Sequence, residues 1–166
     1  MGVRNYLVEG LSGTGKTTVA EELQRRGYHV VHGDRELAYQ GDPVSGEPRE
    51  DHAHEHHIWP VERVRALCAD GSTPETFFCG GSRNVTSFLD LFDAVFVLEV
   101  DLDTLNRRLD ARPDEEWGGG RPTERERIVR WHESGEDVPP GGIPIDSTAP
   151  IGRVVDEIIR HVRAIG

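Results

Sequence analysis

Lysine is almost missing from this chain. Of the 19 lysines and arginines in 166 residues, Lys16 alone is lysine. Cysteine is nearly as scarce, with only Cys68 and Cys79. Two thiols build no disulfide framework, and their spacing fits no zinc motif. They read as small buried hydrophobes in a reducing, cytoplasmic compartment. Basic groups are outnumbered by 30 acidic ones, for a formal net charge of −11. That balance excludes the basic face of a nucleic-acid binder. It also demands a local cluster of cations wherever an anionic substrate is held. Long apolar runs are absent as well. Nothing approaches the roughly eighteen residues of a membrane span, and the apolar stretch of MGVRNYLVEG is too short before Glu9 for a secretory signal. Asn5 and Tyr6 follow Gly2 where a myristoylation motif requires serine or threonine.

The length suits a single domain, residues 1–166, without internal repeats or low-complexity tracts. Apolar runs alternate with helical patterns along it. Tyr6-Leu7-Val8 predicts a strand and Thr17 to Arg26 a helix that Gly27 stops. Tyr28 to Val31 predicts a second strand ending at Gly33-Asp34. A helix follows from Val61 to Ala69, then a strand at Thr76 to Cys79 and a short helix near Val85 to Phe92. Ala94 to Val100 is the most strand-like run. Leu102, Leu105 and Leu109 recur at helical spacing. Residues 111–122 are rich in glycine, proline and acid, as in a mobile flap, and a charged helix is expected from Thr123 to about Ser134. A strand at Ile143 to Ile145 leads into a last helix striped by Ile151, Val154, Val155, Ile158, Ile159 and Val162. Strands separated by helices imply βαβ units and a parallel α/β sheet covered on both faces.

The lone lysine sits in Gly10-Leu11-Ser12-Gly13-Thr14-Gly15-Lys16-Thr17-Thr18. This matches G-x-x-x-x-G-K-[ST] at every specified position, after a predicted strand and before a predicted helix. Glycines let the backbone close around a polyphosphate with its N–H groups inward, and the helix N-terminus adds partial positive charge. Thr17 offers a hydroxyl to Mg²⁺. Lysine is a compact point charge able to reach the β- and γ-phosphates from inside the loop, where arginine's planar fork would displace one or the other. ATP and Mg²⁺ are the implied ligands. Without a second lysine there is no N-K-x-D guanine reader, and Cys79 stands where a Walker-B acid is usual, which weakens switch and motor readings.

Together these features resemble the small P-loop kinases, the group containing adenylate, shikimate and gluconate kinases and chloramphenicol phosphotransferase. The resemblance implies a three-layer P-loop fold with a five-stranded parallel sheet in the order 2-3-1-4-5. An acceptor-binding helical region over about residues 35–70 and a lid over about 111–122 are implied with it. "FFCGGSR" matches the nucleoside monophosphate kinases' strand ending in D-G-F-P-R at Gly80 and Arg83, with Gly81 between them, and departs at Cys79. In the family that arginine holds the acceptor's phosphate. "RRLDAR" matches the lid's R-x-x-x-R with Arg108 and Arg112, and Arg121 or Arg125 lies beyond the flap. "IPIDSTAP" resembles the adenine-packing loop, through Ser147, Thr148, Ala149 and Pro150. The implied activity is ATP-dependent transfer of the γ-phosphoryl group to a nucleotide, nucleoside or hydroxylated metabolite, by a monomer or homodimer. A nucleotide hydrolase and a non-catalytic ATP sensor are the alternatives.

Asp34 ends the second strand, where parallel sheets place ligands. It either accepts a hydroxyl proton, orders a Mg²⁺-bound water, or caps the following helix. Arg35 is an acceptor-binding arginine or a surface charge. "DHAHEHHIW" gathers His52, His54, His56 and His57, but H-E-x-x-H fails at Ile58. The segment reads as a polar border of the acceptor pocket, with one histidine able to touch the acceptor and Trp59 packed beneath.

Overall fold

Strand β1 (Gly2–Gly10) lies at the centre of the sheet because both of its faces are apolar. Tyr6 and Val8 face one way and Leu7 the other, all fully buried, as a strand covered by helices on both sides requires. The computed structural model describes residues 2–10, 15–50, 57–111, 126, 128–130 and 141–165. Expectations for Leu11 to Thr14, for His52, His54 and His56, for Arg112, Arg121 and Arg125, for the lid, and for most of the helix after Thr123 lie outside the described residues.

In chain order the elements are β1, α1 (Lys16–Arg25), β2 (His29–His32), α2 (Gly33–Glu36), β3 (Tyr39–Gln40), β4 (His57–Ile58) and α3 (Val61–Asp70). They continue with β5 (Thr73–Cys79), β6 (Ala94–Glu99), α4 (Leu102–Asp110), β7 (Ile143–Asp146) and the C-terminal helix α5 (Ile151–Ile165). The main sheet runs β2-β5-β1-β6-β7, every neighbouring pair parallel. Counted within this sheet alone, that is the expected 2-3-1-4-5. β3 and β4 form a separate antiparallel pair, Tyr39 opposite Ile58 and Gln40 opposite His57. Strands this short carry no readable periodicity, and the sequence did not predict them.

One face of the sheet packs Tyr6, Val8, Phe77, Phe96 and Leu98 against Val19 and Leu23 of α1 and the Val154-Val155-Ile158-Ile159-Val162 stripe of α5. The other packs Leu7, Val31 and Phe78 against Val64 of α3 and the aromatics Trp59, Phe88 and Phe92. The helix expected at Val85 to Phe92 is instead two 3₁₀ turns, Val85–Ser87 and Leu89–Leu91. Between them Phe88 leaves helical geometry (φ −138°) and stacks on Trp59, ring centroids 5.7 Å apart and nearly coplanar. Burying that aromatic pair outweighs continuing a short helix.

Helix α1 ends as Gly27 predicted. Gly27 takes a left-handed φ of 94°, its N–H donates to Gln24 O at 2.9 Å, and Tyr28 N–H donates to Leu23 O at 3.1 Å. This is the Schellman arrangement that satisfies the last carbonyls of a helix. Arg26 then ties α1 to α5, through Asp156 at 2.7 Å and Gly152 O at 3.0 Å. Hydrogen bonds from Arg25 and then Arg26 pull the Glu22 carboxyl from its ordinary 4.5 to about 2. Because the folded value is depressed, the stabilisation is complete above about 4.5 and is lost as pH falls toward about 2. Glu22→Gln should therefore remove the part of the acid-induced fall in Tm that lies in this window. Melting curves of both proteins from pH 7 to pH 2 check it, and parallel curves would deny the contribution.

Candidate functional site

The register of two strands assembles the site. Val8 of β1 pairs with Cys79 of β5, so the last residues of β1, Glu9 and Gly10, lie alongside Gly80-Gly81, which follow β5. Gly80 N–H donates to Val8 O at 3.1 Å. From β1 the chain crosses to Gly15, whose left-handed φ of 98° starts α1, with Val19 N–H on Gly15 O at 2.9 Å. Lys16 opens the helix and its Nζ donates to Gly10 O at 2.7 Å, across the mouth of the loop. Thr17 and Thr18 follow, exposed, on the first turn.

Gly81 lies tight against that ammonium. A Cβ built there would lie 3.1 Å from Lys16 Nζ and 3.5 Å from Glu9 Oε1. Glu9, only 2% exposed, thus places a carboxylate at the same crest. Sequence reading used it only as the end of an apolar run. Its signal was a lone acid closing an apolar strand immediately before the glycine loop.

Asp34 stands on α2, four residues long, across the Gly81 loop from Lys16. His57 Nε2 lies 2.8 Å from Asp34 Oδ1, and Gly81 N–H donates to the same oxygen at 3.3 Å. Burial pushes the Asp34 carboxyl up, but the His57 hydrogen bond, the Lys16 and His57 charges and the Gly81 amide together outweigh it. The carboxyl is held below its ordinary value and stays ionised. Capping does not explain this side chain. The residue preceding the helix is His32, whose N–H is taken by Glu36 at 2.5 Å, while Asp34 reaches away to β4 and the Gly81 loop. Arg35 is exposed and lies against Nδ1 of His32, the last residue of β2, at 3.2 Å.

Trp59 is the floor beneath. It is 1% exposed, and its six-membered ring lies so close to two glycines that a Cβ on Gly33 would be 2.1 Å from Cζ2 and one on Gly80 2.9 Å. Asn84 grips its backbone from both sides: Trp59 N–H donates to Asn84 Oδ1 at 3.1 Å, and Asn84 Nδ2 donates to Trp59 O at 2.9 Å. Arg83 N–H donates to His57 O at 2.9 Å. Gly80 and Gly81 therefore lie beside Asp34, and the Arg83 backbone holds the residue that bonds it, His57. Cys79 is buried, and burial first, then the Asp34 charge, pushes its thiol far above the ordinary range, so it remains a protonated hydrophobe.

On the far side, Asp101 caps α4 by accepting from Thr104 N–H at 2.6 Å, and with Leu105 and Leu109 packed in the core Arg108 is partly buried and Arg107 exposed. Arg108 Nη2 donates to Ser147 O at 2.7 Å. Its Nη1 and Ser147 Oγ both lie beside Gly15, 3.6 and 3.4 Å from where a Cβ would be. Burial, then the neighbouring Arg107 charge, lower the Arg108 pKa, though a guanidinium remains charged at any working pH. Ser147 N–H donates to Glu99 O at 2.8 Å and Thr148 N–H to Asp146 Oδ1 at 2.9 Å, so the Ser147–Pro150 loop is fixed between β7 and α5. Lys16, Arg108 and Ser147 meet around the start of α1.

Sheet order and loop placement define the architecture of the small P-loop kinases. A family model described as an AAA domain matches residues 7–129, and the chain belongs to that family. No curated protein matches it. Among solved structures the chain is similar to a sugar kinase from Janibacter sp. HTCC2649, with TM-score 0.57, 17% identity and 98% of each chain covered. It is also similar to a gluconokinase from Sinorhizobium meliloti 1021 (TM-score 0.56, 17% identity, 98% of this chain and 93% of that one). A shikimate kinase from Bacteroides thetaiotaomicron gives TM-score 0.59 at 12% identity, over 96% and 98% of the two chains.

The two crowded glycines separate stability from function. Gly33→Ala drives a methyl into an immobile indole and should cost about 1–3 kcal/mol, read as a fall of several degrees in Tm. Gly81→Ala meets only the far end of Lys16, so Tm should barely change while the thermal shift produced by ATP·Mg²⁺ shrinks. Equal losses of Tm in both variants would contradict this assignment.

Proposed function

We propose that the protein is an ATP- and Mg²⁺-dependent phosphotransferase that passes a γ-phosphoryl group to a hydroxyl of a small metabolite. The observation that carries this reading is the ionised Asp34 carboxylate facing Lys16 across the Gly81 loop. A hydroxyl acceptor must lose a proton, and a fixed carboxylate at the acceptor side can take it. An acceptor that is already a phosphate anion has no use for such a base and is repelled by one. The kinds of molecule named in the similar structures, a sugar, gluconate and shikimate, all carry hydroxyls.

The backbone from Gly10 through Leu11, Ser12, Gly13 and Thr14 to Gly15 cradles the phosphates. The Lys16 ammonium exchanges Gly10 O for the β- and γ-phosphate oxygens, and Arg108 approaches from α4. Ser147, Thr148, Ala149 and Pro150 border the adenine side. Arg112 and the segment 111–122 serve as the lid that excludes water. The region 35–70 with Gly80, Gly81 and Arg83 receives the acceptor. Thr17 and Asp34 offer the hard oxygen donors that suit Mg²⁺, Asp34 through a water. The metal, when bound, neutralises charge on the transferred group. In the transfer, the acceptor oxygen bonds to the γ-phosphorus as its bond to the β–γ bridging oxygen breaks. The hydroxyl proton passes to Asp34 and ADP leaves. Little covalent work falls to the protein, so positioning and charge carry the catalysis.

The test is ATP·Mg²⁺ turnover against gluconate, shikimate, glycerol, ribose, uridine and UMP, followed by ADP release. Lys16→Ala should abolish both turnover and the ATP-induced thermal shift, about 2.7 kcal/mol of stabilisation at a hundredfold excess over Kd. Asp34→Asn should keep the shift but lose about 10²–10⁴-fold in turnover. Turnover with UMP alone, undiminished by Asp34→Asn, would overturn the hydroxyl assignment. ADP release equal with and without every acceptor would instead make the protein a hydrolase.

A further inference from the structure

We propose that His57 is the positioning residue of the Asp34 carboxylate, an inference that rests on the phosphotransferase reading for its catalytic consequence but not for its geometry. Asp34 belongs to a single turn of helix, which by itself leaves a carboxylate free to rotate. Two donors from elsewhere in the chain remove that freedom, and both act on Oδ1: His57 Nε2 at 2.8 Å and Gly81 N–H at 3.3 Å. Oδ2 accepts no hydrogen bond among the described residues. It is therefore the oxygen left for an incoming hydroxyl. For the bond to form with a neutral imidazole, the ring proton must sit on Nε2.

His57 can hold the carboxylate because it is itself held. Its carbonyl accepts from Arg83 N–H at 2.9 Å and it pairs with Gln40 in the β3–β4 ladder. The two residues after it, Ile58 and Trp59, are 0% and 1% exposed. Asn84 clamps the Trp59 backbone on both sides and Phe88 stacks on its ring. A well-buried anchor thus presents one half-exposed imidazole to the candidate base. Base, orienter and the phosphate-binding lysine lie together, the relation by which a proton acceptor is fixed before the substrate arrives.

The consequence is a split in kinetics that a packing role would not give. Loss of an outer partner of this kind typically costs about 10–100-fold. In the full chain with saturating ATP·Mg²⁺ and gluconate as probe, or whichever of glycerol, ribose and shikimate turns over fastest, His57→Ala should lower kcat by about that factor. KM for ATP should stay within about twofold. His57→Gln, whose amide N–H reaches the same oxygen, should recover most of the loss. A second measurement needs no acceptor. Two-bond ¹H–¹⁵N correlations of histidine-labelled protein should show His57 protonated at Nε2, with that proton protected from exchange by its hydrogen bond, and Asp34→Ala should remove the protection. Wild-type kcat in His57→Ala, equal damage in the Ala and Gln variants, or an Nδ1–H tautomer in the wild type would each overturn the proposal. A wild-type chain that phosphorylates no acceptor sinks the phosphotransferase reading, and the protection of the Nε2 proton, lost or kept in Asp34→Ala, alone then decides the pairing.

Discussion

Parallel pairing of β1 with β5, with Val8 opposite Cys79, is the constraint on which the site depends. It brings the loop after one strand against the loop after the other, so that Gly81 lies against Lys16 and Glu9 while its amide reaches Asp34. Slipping this register by one residue would reverse every side chain on the strand and bury Glu9 against the α1–α5 layer. The two cores prevent that. Tyr6 and Val8 are committed to one and Leu7 to the other, so the hydrophobic pattern of β1 fixes where Glu9 and Gly10 end the strand as well as the sheet.

Crowding does the rest around Asp34. Trp59 fills the space under Gly33 and Gly80 so completely that neither position can carry a side chain, and its own backbone is tied to Asn84, which Ser82 Oγ in turn hydrogen-bonds. The indole is a spacer between α2 and the loop after β5. Its thickness sets how far Asp34 stands from Gly81, and its stacking on Phe88 ties that spacing to the rest of the core.

Residues close together in sequence were the legible part. The glycine loop announces itself because its glycines, the lysine and the helix start are contiguous. The α5 stripe could be read because one helix face repeats every three or four residues. The strand order came through resemblance. What stayed hidden joins distant segments. Asp34 and His57 are 23 residues apart, linked by two-residue strands that leave no periodic trace. Nothing in "DHAHEHHIW" distinguishes His57 from its neighbours; only the burial of Ile58 and Trp59 directly after it does so. The preference for Arg108 over Arg107 follows from which face of α4 packs Leu105 and Leu109. The 3₁₀ break at Phe88 follows from the ring it meets.

Charge balance at the crest connects these local facts to the acidity of the whole chain. A net charge of −11 repels a triphosphate at long range, but that repulsion is screened over about 8 Å at physiological salt. What an anion at this crest would meet is the immediate surroundings: the Lys16 ammonium and the Arg108 guanidinium, both beside the start of α1. Against them stand Asp34 and the buried Glu9. Cys79 matters here by being uncharged. An aspartate at the end of β5 would add a further carboxylate beside Asp34, and like charges so close would force one of them to take a proton. With a thiol that burial keeps protonated, Asp34 remains the ionised group beside the Gly81 loop, and Lys16 and His57 stabilise its charge. The departure from the usual acid at Cys79 and the ionised state of Asp34 are two sides of one electrostatic arrangement.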